Sequence, residues 1–442
     1  MKRKKQRVTK QQEVSWRINM NIEMREWNSH FIPDYEFVDK QAKEIATMLT
    51  KRGIIEISEL KNGLLVTTNS YVGRISLGEL DIKITPKLNG MELFTLMQYA
   101  YSLKDLKLFD EISSNLESFS FFDILIYQLY LYIEDLFVKG FHRGYVRRHD
   151  ELPALRGRLD INRLSRSLPM QKTALPCTYY ERNEDNVLNQ VLLAGICLSI
   201  RLVADQQIKL QLQRLCTYLS ESISSVSLNG QLLKKAKTSI NRLTERYRPL
   251  LEIITILYES QGMEFKDSDK VIQLKGFLFD MNRFFESLVE KLIKDFVPDY
   301  SLREQFQLNE MFSYEAGFNP RRRRSPTPRP DFALMTGNKV VKLMDAKYKD
   351  LWEATLPRDM LYQLAIYALS SEGDQTSVII YPSSNDLATT QKIVINDPTN
   401  NDKMGTVLLK SLNLNKVAVW LRDVSKNRRD LVRYIDKVLF VD

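Results

Sequence analysis

The chain has 442 residues, which is enough for two or three domains. Its 44% hydrophobic and 27% charged residues are ordinary for a folded globular protein. The formal net charge of +9 and the pI of about 9.1 fit a nucleic-acid partner, although charge alone is weak support for one.

Cysteine and histidine usage narrows the class further. The three cysteines lack the spacing of metal ligands, and an odd number of them argues against a disulfide framework. With only three histidines, a zinc site is not expected. A reducing cytoplasm is the simplest compartment for such a chain. The three cysteines are Cys177, Cys197 and Cys216, and the three histidines are His30, His142 and His149.

The first 16 residues, MKRKKQRVTKQQEVSW, are strongly basic and no apolar core follows them. They therefore predict a flexible arm rather than a signal peptide. The arm could touch phosphate or an acidic partner surface, or it could be a solvated tail. An N-terminal region is predicted over residues 17–265, with a small β element at about 60–90 and mainly helices after it.

The helical part has several recognisable segments. Helices are predicted from Glu92 to Leu106 and from Phe121 to Lys139. The second contains FFDILIYQLYLYIEDLF, which is too short and too acidic for a membrane span. Another helix, capped by Asn183 or Asp185, should run to about Leu202.

Residues 205–260 read as almost wholly helical. A break is predicted at Asn229-Gly230, with a second candidate break at Pro249. The polar stretch at 260–270 is the best candidate for a linker, and a second domain is predicted over 270–442.

The stretch RPDFALMTGNKVVKLMDAKYKD predicts a β-hairpin. Asp331 opens an apolar run, turn residues follow at 336–338, and a second apolar run leads to Asp345 and Lys347. Side chains alternate across a strand, so Asp345 and Lys347 should share a face. Strands are therefore predicted at 331–335 and 339–346, and a third at 376–381.

These residue types suit metal-assisted hydrolysis. Asp331, Asp345 and the carbonyl of Ala346 could bind Mg²⁺, with Mn²⁺ as a possible substitute. The metal would lower the pKa of a water and stabilise charge on phosphate oxygens. Lys347 could orient or deprotonate that water. An Asp-x-Lys triplet alone, however, occurs by chance in many proteins of this length.

The flanking helices give the triplet a context. The upstream helix FDMNRFFESLVEKLIKDF carries Glu286 and Glu290, and the downstream helix RDMLYQLAIYALS places Gln363 and Tyr367 on one face. Together with Pro-Asp and Asp-x-Lys, this order resembles the PD-(D/E)xK nuclease superfamily, in its branch with a Gln-x-x-x-Tyr motif. The resemblance implies an α+β or α/β multidomain chain whose C-terminal domain packs a mixed central sheet between helices.

An arginine-rich segment, NPRRRRSPTPRP, directly precedes Asp331. Its prolines keep the chain out of helix, and its arginines could bring DNA phosphates to the site. The competing interpretation is a solvated basic loop. The candidate DNA-binding residues are Arg321, Arg322, Arg323, Arg324 and Arg329.

Sequence segments outside this core narrow the resemblance to McrC-like subunits of McrBC and LlaJI-type 5-methylcytosine restriction systems. They stand in family order and include VGRISLGELDIKITPKL, LRGRLDI, CTYYERNEDNVLNQVLLAG and FLFDMNRFFESLVEKLI. The resemblance implies that Asp331 and Asp345 are metal ligands and Lys347 the catalytic lysine. Glu286 would be a further metal ligand, with Glu290 as its rival. Gln363 and Tyr367 would position the scissile strand or support the site, or Tyr367 is core.

The same resemblance implies partners. McrC-like proteins act on double-stranded DNA with a hexameric AAA+ GTPase, into which their N-terminal half docks to stimulate nucleotide hydrolysis. This chain has no G-x-x-x-x-G-K-[ST] motif, so it should not hydrolyse nucleotide itself. The basic arm and the arginines between 140 and 165 are candidate docking surfaces, or ordinary surface charge. These arginines are Arg143, Arg147, Arg148, Arg156 and Arg158.

Two alternatives stay open on the sequence. One is a stand-alone repair nuclease like RecB, which shares the Gln-x-x-x-Tyr motif. The other is a non-catalytic adaptor that activates a partner NTPase. The recognised DNA site, the role of methylation, the number of subunits and the cut geometry do not follow from the residues.

Overall fold

The computed structural model describes residues 20–88, 90–103, 121–166, 174–260, 265–267, 270–272, 275–309, 311–371 and 374–440. The predicted basic arm lies outside these ranges, as do the end of the predicted 92–106 helix and much of the predicted linker. No helix within the described ranges has the length and apolar character needed to cross a membrane.

The described strands are numbered in chain order. They are β1 (Met20–Arg25), β2 (Ser29–Pro33), β3 (Ile55–Leu60), β4 (Gly63–Thr68), β5 (Tyr71–Leu77), β6 (Leu80–Thr85), β7 (Gly144–Leu152), β8 (Arg158–Leu159), β9 (Leu175–Asn183), β10 (Phe265–Asp267), β11 (Lys270–Ile272), β12 (Lys275–Asp280), β13 (Ser301–Glu304), β14 (Phe332–Thr336), β15 (Lys339–Ala346), β16 (Thr376–Ser383), β17 (Gln391–Asn396) and β18 (Lys403–Asn413).

The described helices are numbered in the same way. They are α1 (Lys40–Lys51), α2 (Gly90–Ala100), α3 (Phe121–Lys139), α4 (Ile161–Arg166), α5 (Val187–Leu202), α6 (Gln206–Ser220), α7 (Gly230–Thr238), α8 (Arg248–Ser260), α9 (Met281–Phe296), α10 (Arg358–Ser370), α11 (Leu414–Leu421) and α12 (Val424–Phe440). A short 3₁₀ turn, Glu245–Tyr247, precedes α8.

The chain divides into two compact units. The first consists of Met1–Lys87 with Gly262–Phe279, and the second of Leu88–Gln261 with Asp280–Asp442. The helices that follow the first unit therefore belong to the same compact unit as the C-terminal sheet. The predicted division into a partner-docking region and a nuclease region stays a functional prediction.

The described residues of the first unit form three sheets, with strand orders β1-β6-β5-β12, β2-β4-β3 and β10-β11. The alternation that predicts a half-buried strand at 80–85 is confirmed, since Leu80, Ile82 and Ile84 are all buried. β6 pairs in parallel with β1 and antiparallel with β5. The predicted linker, residues 260–270, includes the boundary between the two units after Gln261, and it contains β10 and the first residue of β11, which pair antiparallel.

The second unit begins with helices, and their ends follow local capping chemistry. Helix α3 has the predicted bounds. Helix α5 is capped by Asn186, whose side chain accepts hydrogen bonds from two backbone N–H groups, so the predicted cap at Asn183 or Asp185 is wrong. Asn229 caps α7 and marks the predicted break. Pro249 is the second residue of α8, where a missing N–H breaks no helical hydrogen bond.

A three-stranded sheet of order β7-β9-β8 interrupts these helices, so the expectation of a mainly helical region after residue 90 is too simple. β7 pairs with β9 antiparallel over their full length. Most β7 side chains are exposed. The strand therefore lacks the apolar alternation by which a half-buried strand is recognised in a sequence.

A buried polar cluster, the Tyr247 cluster, fixes one end of this β7–β9 pair, where β7 begins and β9 ends. It consists of Tyr247, Asn189 and the backbone of His142 and Glu184. The Tyr247 hydroxyl accepts from the His142 N–H at 2.9 Å and donates to Asn189 Oδ1 at 2.7 Å. Asn189 Nδ2 donates to the carbonyls of His142 and Glu184 at 2.9 and 2.7 Å. His142 precedes β7 and Glu184 follows β9, so one cluster holds both connections.

The C-terminal sheet has six strands in the order β13-β14-β15-β16-β18-β17. β14 and β15 form the predicted hairpin, and β15, β16 and β18 run parallel to one another. The sheet is therefore mixed, as expected. Every residue of β16 is buried, so both faces of the sheet are covered at its centre. Leu364 and Tyr367 of α10 belong to the core on one face.

Candidate active site

The β14–β15 hairpin brings Asp331 and Asp345 together. Phe332 is the register partner of Met344, so the two aspartates lie beside each other just beyond that pair. The backbone N–H of Asp331 donates to Asp345 Oδ1 at 3.0 Å. The N–H of Ala346 donates to Asp331 Oδ2, also at 3.0 Å. Each carboxylate is thus held by the strand that carries the other.

Both carboxyl groups are short of compensating positive charge. Burial, followed by repulsion from Asp331, raises the pKa of Asp345 to about 7. Burial also raises the pKa of Asp331, although the Ala346 N–H and the charge of Lys347 oppose that rise. Lys347 is therefore close enough to act on both acids, yet its single charge does not offset their burial.

Glu286 belongs to the same electrostatic environment. It lies on α9, whose N-terminus is capped by Asp280. Burial, followed by repulsion from Asp331, raises the pKa of Glu286 to about 7, and Lys347 opposes the rise. The Tyr348 N–H donates to Asn282 Oδ1 at 3.1 Å, which ties the first turn of α9 to the end of β15.

Glu290 has different partners. It accepts from Lys294 at 2.6 Å, and Lys294 also contacts Glu304 at 2.6 Å. Both sequence candidates therefore lie on α9, but only Glu286 interacts electrostatically with the paired aspartates.

Gln363 and Tyr367 are brought to the site by α10. Gln363 Nε2 donates to the Tyr367 hydroxyl at 2.6 Å and to Asp345 Oδ2 at 3.4 Å. The ring of Tyr367 is fully buried in the core of the sheet, and its hydroxyl also meets the backbone of Arg329. Tyr367 is therefore a core residue that also orients Gln363 toward Asp345.

Two residues that the sequence did not single out complete the surroundings. Gln305 Nε2 donates to Asp331 Oδ1 at 3.3 Å, and its backbone N–H donates to the Asp331 carbonyl at 2.7 Å. Asn282 holds α9 as described above. Both act through contacts between distant parts of the chain, for which the sequence offers no spacing pattern.

The donor set is that of a hard cation. Nowhere in the described ranges do three His, Cys, Asp or Glu side chains gather closely enough to form a metal site by themselves. A cation at Asp331 and Asp345 would therefore need the Ala346 carbonyl and water as further ligands, which is how Mg²⁺ is commonly bound. The raised pKa values of the carboxyl groups indicate uncompensated negative charge that such a cation would neutralise.

The arginine residues predicted to contact DNA or a partner are at the surface. Arg321 to Arg324 are exposed, and Arg329 Nε donates to the Gln305 carbonyl at 3.3 Å. Around the β7–β9–β8 sheet, Arg143 pairs with Glu184 at 2.8 Å and Arg148 with Glu181 at 3.3 Å. The guanidinium of Arg156 lies 4.2 Å from the ring centre of Tyr179, and Arg147 and Arg158 are exposed.

Comparison with solved structures identifies a similar fold. A chain of the refined half-complex from the tetradecameric assembly of Thermococcus gammatolerans McrB AAA+ hexamers with bound McrC is 21% identical, with a TM-score of 0.60. The match covers 95% of this chain and 100% of that one. A chain of the cryo-EM structure of the Thermococcus gammatolerans McrBC complex is also 21% identical, with a TM-score of 0.46. That match covers 64% of this chain and 90% of the other.

No curated protein matches the sequence. The model of one protein family does match it, over residues 66–382. That range holds most of the first unit's strands, the helical region and the whole Asp331–Asp345 site. The chain therefore belongs to the family of McrBC 5-methylcytosine restriction system components.

Proposed function

We propose that this chain is the metal-dependent DNA endonuclease subunit of a modification-dependent restriction complex, acting with an AAA+ GTPase. The observation that carries the proposal is the pair Asp331 and Asp345, each held by the other's strand, with Lys347 acting on both. Three acids of raised pKa beside one lysine fit a site built for a divalent cation and a phosphodiester. The order of these residues also matches the PD-(D/E)xK superfamily.

Asp331, Asp345 and the Ala346 carbonyl would hold Mg²⁺ or Mn²⁺. Glu286 would be the third acidic side chain on the metal side of the site. When bound, the cation would supply Lewis-acid stabilisation of charge on the phosphate and lower the pKa of a water. Lys347 would orient the attacking water or take its proton. Gln363 would keep the Asp345 carboxylate in position, supported by the buried Tyr367.

The partner part of the proposal rests on family membership and on one surface. McrC is bound to McrB AAA+ hexamers in the similar assembly from Thermococcus gammatolerans. In this chain, the β7–β9–β8 sheet presents exposed arginines, and the Tyr247 cluster fixes the end of the sheet at which β7 begins and β9 ends. We therefore assign this sheet, together with the basic arm, to docking on the GTPase and stimulating it.

A reconstituted cleavage assay tests the proposal. Methylated and unmethylated plasmids are incubated with the chain, with and without an McrB-like GTPase from the same organism, in the presence of GTP and Mg²⁺. Asp345→Asn removes the charge of a proposed metal ligand, and Asp436→Asn is a matched control on the exposed face of α12. Cleavage that needs partner and GTP, and that only Asp345→Asn abolishes, is the expected result.

The other outcomes of this assay are equally specific. Cleavage by the chain alone would favour a self-sufficient nuclease of the RecB type. No cleavage in any mixture, together with stimulated GTP hydrolysis by the partner, would favour the adaptor. Methylated DNA cut no faster than unmethylated DNA would remove the modification-dependent part of the proposal.

A further inference from the structure

An exposed phenyl ring stands beside the arginine run that precedes Asp331. The segment at residues 311–330, here called the arginine loop, has exposed side chains over most of its length. Phe318 is 74% exposed, and Phe312 and Tyr314 are 40% and 44% exposed. The first of four consecutive arginines, Arg321 to Arg324, comes three residues after Phe318.

Local hydrogen bonds fix the backbone on both sides of this ring. The Phe318 N–H donates to the Glu315 carbonyl at 3.0 Å, closing a turn that contains Gly317 at φ +88°. A glycine adopts this left-handed conformation without steric penalty. The next turn is closed by the Arg322 N–H, which donates to the Asn319 carbonyl at 3.0 Å.

The side chain of Asn319 reinforces this second turn. It accepts from the Arg323 N–H and donates to the Arg323 carbonyl, both at 2.8 Å. Phe318 and the arginines are therefore held by ordered turns while their side chains face solvent. A preorganised surface loses less conformational entropy when a ligand binds to it.

The base of the arginine loop is attached to the proposed catalytic groups. The Leu308 N–H donates to the Pro328 carbonyl at 3.0 Å. Arg329 contacts Gln305, which in turn donates to Asp331. The backbone of Arg329 also meets the hydroxyl of Tyr367. The loop is therefore anchored to both the Asp331 and the Gln363–Tyr367 sides of the site.

Helix α10 carries a further exposed aromatic side chain, one position before Gln363. Tyr362 is 65% exposed and directly precedes Gln363, whose amide donates to Asp345. The far end of the same helix meets the loop, where Ser370 Oγ lies 3.2 Å from Met311 Sδ. Exposed aromatic rings thus occur on both the loop and the helix that carries the site.

We propose that Phe318, with Tyr362, stacks on unpaired nucleobases of the DNA strand that the arginines bind by its phosphates. Aromatic faces next to arginines are the combination by which proteins hold single-stranded nucleic acid, since bases stack on the rings while guanidinium groups contact the backbone. This inference rests on the proposed function, because it takes DNA as the substrate. It adds that the bound DNA is locally unpaired, rather than an intact duplex contacted only through phosphates.

The test separates base stacking from phosphate binding. Binding of the chain to a fluorescein-labelled 30-nucleotide single strand is measured by anisotropy in EDTA, beside a strand of equal length and charge whose central nucleotides are abasic. The variants are Phe318→Ala and Phe318→Trp, which keeps a stacking surface. Leu387→Ala is the control, since that side chain is 77% exposed but lies outside the arginine loop.

Phe318→Ala should weaken binding of the normal strand by about fivefold or more and leave binding of the abasic strand nearly unchanged. Phe318→Trp should restore binding, with quenching of the added tryptophan fluorescence by the normal strand. Equal binding of both strands by the unaltered chain, equal losses on both strands, or no binding at all would overturn the proposal.

Loss of a dimer in Phe318→Ala, seen by light scattering with unchanged DNA binding, would assign the ring to a contact between copies of the chain and would also overturn it. Because the assay omits metal and partner, its result does not depend on whether the chain cleaves DNA. The two proposals can therefore fail separately.

Discussion

The backbone N–H of Asp331 donates to the carboxylate of Asp345 at 3.0 Å, and the reverse hydrogen bond reaches Asp331 from the residue after Asp345. The two acids are thus held together although burial and mutual repulsion oppose their ionisation. This relationship leads to predictions about stability as well as about cleavage.

Replacing Asp345 with Asn should stabilise the metal-free protein while abolishing cleavage. The asparagine Oδ1 can still accept from Asp331, but the buried charge is gone. In the folded protein the pKa of Asp345 is about 7, against an ordinary value of 3.8. The folded state therefore binds this proton more tightly, so stability falls as pH rises from about 4 to about 7. At pH 8 in EDTA, Asp345→Asn should gain about 1–3 kcal/mol in the free energy of unfolding.

Urea unfolding across pH 5 to 8 measures this gain, and Asp436→Asn serves as the control. The gain should shrink toward pH 5, because the unaltered carboxyl group is then protonated in the folded state. Mg²⁺ should raise the Tm of the unaltered chain and have a smaller effect on Asp345→Asn. A variant that is less stable at pH 8 would contradict this account of the site.

Glu286→Gln and Glu290→Gln should have different effects, although both residues lie on α9. Glu286 interacts with Asp331, so its replacement should reduce cleavage at least about tenfold, as expected for loss of a charge at the reacting centre. Glu290 is engaged with Lys294, so its replacement should leave the cleavage rate within about twofold, in keeping with the small contribution of partly exposed ion pairs. Single-turnover cleavage rates compare the two, and a reversed order would assign the metal-side role to Glu290.

Tyr367→Phe should distinguish the packing of the Tyr367 ring from the positioning of Gln363 by its hydroxyl. The phenyl ring fills the same buried space, but the hydroxyl that accepts from Gln363 is lost. We expect a several-fold lower cleavage rate with little change in Tm, and a similar rate for Gln363→Ala. The double variant should be no slower than either single variant if the two act as one unit. Independent, multiplying losses would show that Tyr367 has a separate role.

Tyr247→Phe should destabilise the helical part of the second unit. The change leaves the His142 N–H and the side-chain Oδ1 of Asn189 without their hydroxyl partner. The free energy of unfolding should fall by about 1–3 kcal/mol. Tyr218→Phe is the matched control, because the Tyr218 ring is half exposed and sits at the end of α6. Urea unfolding of the two variants gives the comparison, and equal stabilities would show that the Tyr247 cluster has no structural role.

The sequence predicted the hairpin and its acids because their placement is local. Apolar runs, turn residues and strand alternation set the register that brings Asp331 beside Asp345. The sequence alone does not distinguish Glu286 from Glu290, because both lie on one helix, one turn apart. It depends on Glu304, which meets Lys294 only in the folded protein.

Other parts of the fold were missed for physical reasons. β7 is exposed along most of its length, so its sequence carries charge rather than alternating apolar residues. The sequence does not distinguish the cap Asn186 from Asn183 and Asp185, because all three lie in the same polar run. Gln305 reaches Asp331 across 26 positions of the chain, and no spacing rule connects residues at that separation.

In the hairpin, the length of the turn can vary, whereas the pairing of the two strands cannot. The spacing of its two acids is set by the ladder from Phe332↔Met344 to Leu334↔Lys342, whereas the turn around Gly337 lies at the opposite end. Evolution can therefore lengthen that turn, or an engineer can insert a tag there, with little effect on the acids. Deleting a single residue within the ladder would instead shift the pairing and turn every side chain beyond it to the other face.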